Sequence, residues 1–126
     1  MAGPVKAVFD TNILVDYLRG VDAARQELER YRVRQISIIT FIELMVGAKS
    51  AAEESAIRGF LATFEVLELS AEIAQETVRL RQELRLKIPD AIVYATARTQ
   101  GCLLVSRNTK ELKEDWPDIR IPYRIQ

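Results

Sequence analysis

Residues 8–18 read VFDTNILVDYL, in which a short apolar run ends at an acidic residue and a helical pattern follows. Similar apolar surroundings for an acidic residue recur in residues 37–48, SIITFIELMVGA, and in residues 87–97, KIPDAIVYATA. Carboxylates in such places are costly unless something compensates their charge, and several gathered together repel one another. The pattern therefore predicts a divalent-metal site. Its three acidic residues are Asp10, Glu43 and Asp90.

Outward from these segments, short apolar runs alternate with amphipathic stretches, which is typical of an α/β protein with a mainly parallel sheet. Strands are predicted at residues 5–9, 35–39, 64–69 and 102–106, with a weaker strand near 119–122. Helices are predicted at residues 12–19, 22–31, 41–49, 51–63, 71–86 and 91–100. The 126 residues contain no internal repeat, linker or low-complexity tract, so one domain over residues 1–126 is expected.

The predicted elements place two of the carboxylates at one edge of the sheet. Asp10 directly follows the first strand, and Glu43 lies one helical turn past the second, where ligands of open parallel sheets bind. Each acidic residue also has a simpler explanation, because Asp10 and Asp90 could cap helices and Thr40 with Glu43 has capping-box spacing. As neighbours, however, Asp10 and Glu43 need an opposing charge, and neither has a lysine or arginine close by in sequence. A metal ion supplies that charge.

The absence of histidine excludes much chemistry. A Ser-His-Asp triad, a Cys-His pair and a histidine-ligated zinc are impossible in this chain. The remaining metal ligands are oxygens, which favour hard ions such as Mg²⁺, Mn²⁺ or Ca²⁺. The single cysteine, Cys102, lies in the run CLLVS and is expected to be a buried strand residue rather than a nucleophile.

Charge and hydropathy limit the partners. The formal net charge is zero, so any binding of nucleic acid must come from a local basic patch. No segment approaches the roughly 20 apolar residues that a membrane-spanning helix needs, and the N-terminal apolar run is too short for a signal peptide. We therefore expect a cytoplasmic protein without a membrane partner.

Four motifs together resemble the PIN domain, and most closely the VapC-type toxins of toxin-antitoxin modules. They occur in family order as FDTN (9–12), TFIELMVGA (40–48), KIPDAIVYATA (87–97) and LVSRNTKEL (104–112). The resemblance implies a PIN-like three-layer fold with a central, mainly parallel sheet of about five strands flanked by helices. It also implies a metal-dependent endoribonuclease that hydrolyses RNA phosphodiester bonds and inhibits translation or growth.

The resemblance assigns Asp10, Glu43 and Asp90 as ligands of one or two Mg²⁺ or Mn²⁺ ions. A fourth acidic position is open between two residues: many relatives have aspartate where Asn108 stands, whereas others have asparagine there and an acid three residues later, here Glu111. We favour Glu111 as the auxiliary catalytic carboxylate, with Asn108 contacting a water or the substrate. The alternative is a helix-starting turn at Asn108 and a solvated helix face at Glu111.

Other polar residues are expected to orient the acidic groups. Asn12 and Thr40 are predicted to do so through hydrogen bonds to the acidic groups or to a bound water. Thr11 and Ser106 are further candidates, although helix capping or strand packing explains them as well. Asp16 is expected on the exposed side of the first helix and is left out of the site.

Basic residues near the acidic positions in sequence are expected to contact RNA phosphates. They are Arg85, Lys87, Arg107 and Lys110. Arg30, Arg32 and Arg34 form a second basic stretch that leads into the second strand. The alternative explanation is solvated charges interleaved with acidic ones.

The resemblance further implies an RNA substrate, a VapB-like antitoxin and a homodimer. Apolar positions that serve either a partner interface or the core are Ile57, Phe60, Leu61 and Phe64. The main alternative function is a catalytically silent PIN-like binding module that acts only through a protein partner. A receiver domain and a D-x-D phosphatase are disfavoured, because Asp10 stands alone at the strand end and Asn12 occupies the second position of D-x-D.

Overall fold

The computed structural model describes residues 5–125, and in them a parallel five-stranded sheet forms the centre of the fold. The strands are β1 (Lys6–Phe9), β2 (Val33–Ser37), β3 (Glu65–Leu67), β4 (Leu103–Val105) and β5 (Ile119–Arg120). Their spatial order is β3-β2-β1-β4-β5, and all neighbours are parallel. β2 and β3 therefore follow β1 on one side, and β4 and β5 lie on its other side. The strand order reverses between β1 and β4.

Helices connect the strands within the described residues. They are α1 (Thr11–Leu18), α2 (Asp22–Glu29), α3 (Ile38–Val46), α4 (Ala51–Leu61), α5 (Ala71–Leu84) and α6 (Ile88–Gln100). None of the helices within residues 5–125 combines the length and apolar character that a membrane crossing requires.

Two hydrophobic cores lie on the two faces of the sheet. Val8 and Leu104 are register partners and pack with α5 and α6, whereas Ala7, Phe9 and Val105 pack with α1, α2 and α4. Successive strand residues point to opposite faces, so β1 and β4 are buried on both sides and read as continuous apolar runs. The predicted three-layer α/β fold is confirmed.

The four apolar positions predicted for either a partner or the core divide between burial and partial exposure. Leu61 and Phe64 are buried, and Ile57 and Phe60 pack against the same core from its edge. Phe60 also stacks on the ring of Tyr17, with centroids 4.8 Å apart. Core packing therefore explains Leu61 and Phe64, and leaves part of Ile57 and Phe60 accessible.

Helix α3 begins earlier than the sequence predicts. Residues Ile38 and Ile39 were expected to end the second strand, but the hydroxyl of Ser37 accepts a hydrogen bond from the Ile39 N–H at 3.0 Å and starts the helix there. Thr40 is consequently inside the helix, so the capping-box explanation of Thr40 and Glu43 is wrong. The β-branched side chains favour a strand locally, and the serine cap with tertiary packing overrides that preference.

Helix α6 also begins earlier, which changes the position of Asp90. Lys87 is the residue before the helix, Pro89 occupies its first turn, and Asp90 follows in that turn without capping it. The capping explanation is thus wrong for Asp90, while Asp10 does cap α1 by accepting from the Thr11 N–H at 2.8 Å. Cys102 was expected inside a strand; it is half-buried and precedes β4, and burial raises the pKa of its thiol.

Candidate active site

Asp10 stands at the carboxyl end of β1, at the point where the strand order reverses. Its backbone N–H donates to the Val105 carbonyl at 2.9 Å, which ties the residue to the end of β4. Its carboxylate accepts from the hydroxyl of Ser106 at 2.8 Å and from Nδ2 of Asn12 at 3.3 Å. Burial raises the pKa of Asp10, the charge of Glu43 raises it further, and the hydrogen bond from Ser106 opposes both.

Glu43 projects from the second turn of α3, whose start at Ser37 sets its position. The hydroxyl of Thr11 donates to Oε1 of Glu43 at 2.6 Å, and the hydroxyls of Thr11 and Thr40 are 3.1 Å apart. A hydroxyl has one proton, so we infer that Thr40 donates to Thr11, which in turn donates to Glu43. Thr40, which was predicted to orient an acidic group, therefore reaches Glu43 indirectly, through the hydroxyl of Thr11.

Asp90 approaches the same place from the first turn of α6. Burial raises the pKa of Asp90 to about 6, and the charges of Asp10, Glu111 and Glu43 raise it in the same direction. The charge of Lys87 opposes the shift, but its effect is smaller than that of any of the three carboxylates. The mutual effect means that the acidic groups are close enough to repel one another without a compensating cation.

These side chains line one open cleft of about 350 Å³. Its walls are Asp10, Thr11, Asn12, Val15, Glu43, Asp90, Arg107 and Asn108. The structure therefore brings the three predicted metal-binding carboxylates into a common cavity, together with Asn12 and Asn108.

The donor chemistry of the cleft suits a hydrated hard cation. In residues 5–125, no three acidic or cysteine side chains converge closely enough to hold an ion by themselves. Mg²⁺ keeps several waters and needs only one or two direct carboxylates, so a looser acidic ring is compatible with it. The Lys87 charge opposes the raised pKa of Asp90 less than the neighbouring carboxylates raise it, which leaves a charge that a divalent ion can balance.

Asn108 and Glu111, the two candidates for the fourth position, share a turn after β4. Asn108 lines the cleft, and its Oδ1 accepts from the Glu111 N–H at 3.3 Å. Glu111 lies beside the start of α6, where its Oε1 accepts from the Lys87 N–H at 3.4 Å. The segment is a turn rather than the start of a helix. In it, Asn108 lies in the cleft, and Glu111 lies close enough to Asp90 for its charge to raise the pKa of Asp90.

Ser106 has a larger part in the site than its sequence position indicated. Its side chain is fully buried and contacts Asp10, the Asn12 amide at 3.2 Å and the Asn108 N–H at 3.0 Å. It thereby joins the end of β4 to the start of α1. Its place directly after an apolar strand was the available sequence signal.

The expectation that Asp16 is exposed was wrong. Its side chain is 2% exposed and accepts from Arg107 at 2.5 and 2.9 Å and from the hydroxyl of Tyr123 at 2.8 Å. The available sequence signal was the four-residue spacing between Asn12 and Asp16, which places both residues on one face of the helix. The arginine partner is 91 residues away and is not visible in any local pattern.

The basic residues predicted to contact RNA lie at different distances from the cleft. Arg107 lines it, and Lys87 precedes α6 next to Glu111. Arg85, directly after α5, and Lys110, in the turn after β4, are both exposed, and Arg85 has a left-handed backbone with φ of 59°. The second basic stretch, 30–34, lies at the opposite edge of the sheet, where β2 begins.

Comparison with known proteins agrees with this geometry. The family model of the PIN domain matches residues 7–114, which spans β1 to the turn after β4. The chain belongs to the PIN domain family. The predicted resemblance is therefore confirmed.

Three relatives of this PIN domain match over nearly their whole lengths. A tRNA(fMet)-specific endonuclease VapC from Shigella flexneri is 33% identical over 89% of this chain and 98% of its own. The structure of a toxin-antitoxin complex from Klebsiella pneumoniae contains a chain 45% identical, with a TM-score of 0.89 over 94% of this chain and 99% of that one. DNA-bound VapBC from Salmonella typhimurium is 29% identical with a TM-score of 0.77, over 92% and 96% of the two chains.

Proposed function

We propose that this PIN domain is a Mg²⁺- or Mn²⁺-dependent endoribonuclease and the toxin of a VapBC-type toxin-antitoxin system. The observation that carries the proposal is the cleft in which Asp10, Glu43 and Asp90 meet, where burial and the charges of the neighbouring carboxylates raise the pKa of Asp90. The similarity to the Shigella flexneri VapC endonuclease supports the reaction type.

Asp10, Glu43 and Asp90 would hold one or two ions at the end of β1. When bound, such an ion acidifies water for attack on phosphorus and neutralises charge on the phosphate. The protein needs no histidine for this reaction, which agrees with the absence of histidine.

The remaining residues of the cleft fix the carboxylates and the substrate. Ser106 and Asn12 hold the carboxylate of Asp10, and Thr11 holds that of Glu43. Glu111 acts as the auxiliary carboxylate, because its charge raises the pKa of Asp90, although Asn108 and not Glu111 lines the cleft. Asn108 then contacts water or substrate, and RNA phosphates contact the basic residues around the rim, namely Arg85, Lys87, Arg107 and Lys110.

The substrate class is RNA, with initiator tRNA as the first species to test because the Shigella flexneri relative is named for it. A VapB-like antitoxin is the expected protein partner, since structures of VapBC and toxin-antitoxin complexes are among the relatives. We also propose a homodimer, with exposed apolar residues on α3 such as Ile42 and Val46 available for an interface. The toxin would act in the cytoplasm, where its RNA substrate is found.

The decisive experiment measures cleavage of labelled initiator tRNA and of total RNA by the wild type, Asp10→Asn and Asp115→Asn. Asp115 is an exposed carboxylate that does not line the cleft, so it is the matched control for loss of one negative charge. We expect cleavage by the wild type and Asp115→Asn in Mg²⁺ or Mn²⁺, and none in EDTA or with Asp10→Asn. Equal cleavage by Asp10→Asn would contradict the site.

The same experiment separates the alternative of a catalytically silent binding module. A silent module gives no metal-dependent cleavage with any RNA, while it still binds its antitoxin. Thermal melting of all three proteins shows whether the variants are folded, so that loss of activity is not confused with loss of structure.

A further inference from the structure

Arg107, at the rim of the acidic cleft, is fixed at both its backbone and its guanidinium. Its backbone N–H donates to Oδ1 of Asn12 at 3.1 Å, while its Nε and Nη2 donate to Asp16 at 2.5 and 2.9 Å. Asn12 and Asp16 are four residues apart in α1 and therefore lie on one face of that helix. One helix face thus holds both ends of this arginine.

Tyr123, in the segment after β5, adds a third contact. Its hydroxyl donates at 2.8 Å to Oδ2 of Asp16, the oxygen that also accepts from Nε of Arg107. Burial alone would raise the pKa of Asp16, but the hydrogen bonds from Arg107 and Tyr123 outweigh it and hold the pKa below its ordinary value. Asp16 is consequently a charged, fixed anchor at neutral pH.

The geometry leaves part of the guanidinium unused. The pair with Asp16 occupies Nε and one hydrogen of Nη2, and Nη1 has no hydrogen-bond partner among residues 5–125. The guanidinium carries five N–H donors in a plane, so fixing one edge also fixes the direction of the remaining donors. The side chain of Arg107 is 31% exposed and lines the cleft, so a ligand in the cleft can reach part of this side chain.

We propose that Asp16 and Tyr123 are positioning residues that orient Arg107 to bind a phosphate group of the RNA at the edge of the cleft. The inference rests on the proposed ribonuclease function and extends it to the C-terminal segment. Planar bidentate recognition of phosphate is the use for which arginine is best suited, and it depends on the orientation of the guanidinium.

Asp16→Asn distinguishes an orienting role of Asp16 from a simple effect of net charge on RNA binding. Removing the negative charge of Asp16 should strengthen the binding of a polyanion if only net charge matters. If Asp16 orients Arg107, the same substitution weakens binding, although every basic residue is still present. The two explanations therefore predict opposite changes for Asp16→Asn.

The test measures binding of a fluorescein-labelled, 20-nucleotide single-stranded RNA of mixed sequence to the full chain, in EDTA and at several KCl concentrations. Arg107→Gln is expected to weaken binding about 10-fold, and to lower the slope of log Kd against log salt concentration by about 0.7. Asp16→Asn and Tyr123→Phe are expected to weaken binding about three- to ten-fold, because the phosphate contact loses its orientation. Asp22→Asn, which removes an exposed carboxylate on α2, is the control and should not weaken binding.

A double variant makes the result specific to Arg107. In the Arg107→Gln background, Asp16→Asn should cause no further loss, because the residue it orients is gone. In Mn²⁺, with the RNA that the wild type cleaves as substrate, Asp16→Asn and Tyr123→Phe should raise KM while kcat stays within about two-fold. This is the result expected for a contact that is equally strong in the ground state and the transition state. A merely structural role would instead lower the active fraction and leave KM unchanged.

Two results would overturn the positioning role. One is unchanged or tighter RNA binding by folded Asp16→Asn. The other is an equal loss of RNA affinity when Asp16→Asn is added to Arg107→Gln. Tyr123→Phe keeps the inference testable if Asp16→Asn fails to fold. Failure of the proposed function is distinguishable, because it appears as absent cleavage by the wild type in Mn²⁺ and does not depend on the binding series in EDTA.

Discussion

The hydroxyl of Thr11 lies 2.6 Å from a carboxylate oxygen of Glu43, although 32 residues separate the two in the chain. Thr11 is the first residue of α1 and directly follows Asp10, whose carboxylate accepts from its N–H. A single residue therefore contacts two acidic side chains, one through its backbone and one through its side chain. This links the end of β1 to α3 and sets the relative positions of Asp10 and Glu43.

Thr11→Val should lower kcat for RNA cleavage by about 10- to 100-fold, the usual cost of losing a residue that orients a metal ligand. Valine keeps the shape of threonine but cannot donate to Glu43. Thr109→Val, at an exposed threonine in the turn after β4, is the control and should retain full activity. Wild-type kcat in Thr11→Val would show that Glu43 does not need this hydrogen bond.

The stability of the metal-free protein should depend on pH through Asp90. Its folded pKa of about 6 lies above the ordinary 3.8, so its contribution to stability is complete below about pH 4 and is lost as the pH rises through about 6. Asp90→Asn should therefore raise the melting temperature relative to wild type more at pH 7 than at pH 5. Because the group is partly exposed, we expect about 1 kcal/mol, or roughly 4 °C, at pH 7.

The check is thermal unfolding in EDTA at both pH values, with Asp115→Asn alongside. The control carboxylate is exposed and should give the same difference from wild type at pH 5 and pH 7. An Asp90→Asn difference that is equal at the two pH values would mean that the acidic cleft does not destabilise the metal-free fold.

Addition of Mn²⁺ should reverse that destabilisation in the wild type. A ligand that binds only the folded state adds roughly 2.7 kcal/mol at 100 times its Kd, so melting should shift upward by several degrees. Asp10→Asn should lose most of this shift, because it removes a buried carboxylate of the cleft. The measurement is calorimetric melting with and without Mn²⁺, and it needs no RNA substrate. An equal shift in Asp10→Asn would place the ion elsewhere.

Glu27 should matter for stability and not for catalysis. It is 4% exposed on α2, pairs with Arg120 of β5 at 2.6 Å, and accepts from the Tyr31 hydroxyl at 3.1 Å. Glu27→Ala leaves the Arg120 guanidinium, which is 33% exposed, without its partner and should cost about 2 kcal/mol, because a charge-assisted hydrogen bond of a buried carboxylate is lost.

Glu29→Ala, two residues along the same helix, is the control for Glu27. Its carboxylate is exposed and pairs with the exposed Arg25, so the change should stay within about 0.5 kcal/mol. Urea unfolding of the three proteins compares the free energies directly. A loss below 1 kcal/mol in Glu27→Ala would mean that Arg120 finds water or another partner.

Much of the fold was accessible from the sequence because the relevant information is local. Apolar runs such as VKAVF and CLLVS are short and rich in β-branched or aliphatic residues, as expected for strands buried on both faces. Asp10 could be assigned to the sheet edge because it directly follows such a run. The starts of α3 and α6 were misplaced, because Ser37 caps α3 and Pro89 lies in the first turn of α6, so both helices begin before the positions that the apolar pattern predicts.

The sequence by itself determined the alternation of strands and helices, the three carboxylates and the exclusion of histidine chemistry. The tertiary structure alone decided that Thr11 contacts Glu43, that Asp16 is buried, and that Arg107 turns its guanidinium onto Asp16. Periodicity encodes which face of an element is buried, and it carries no information about which distant side chain packs there. The Arg107–Asp16 pair forms only when β4 is placed beside β1, which brings residues 91 positions apart within hydrogen-bonding distance.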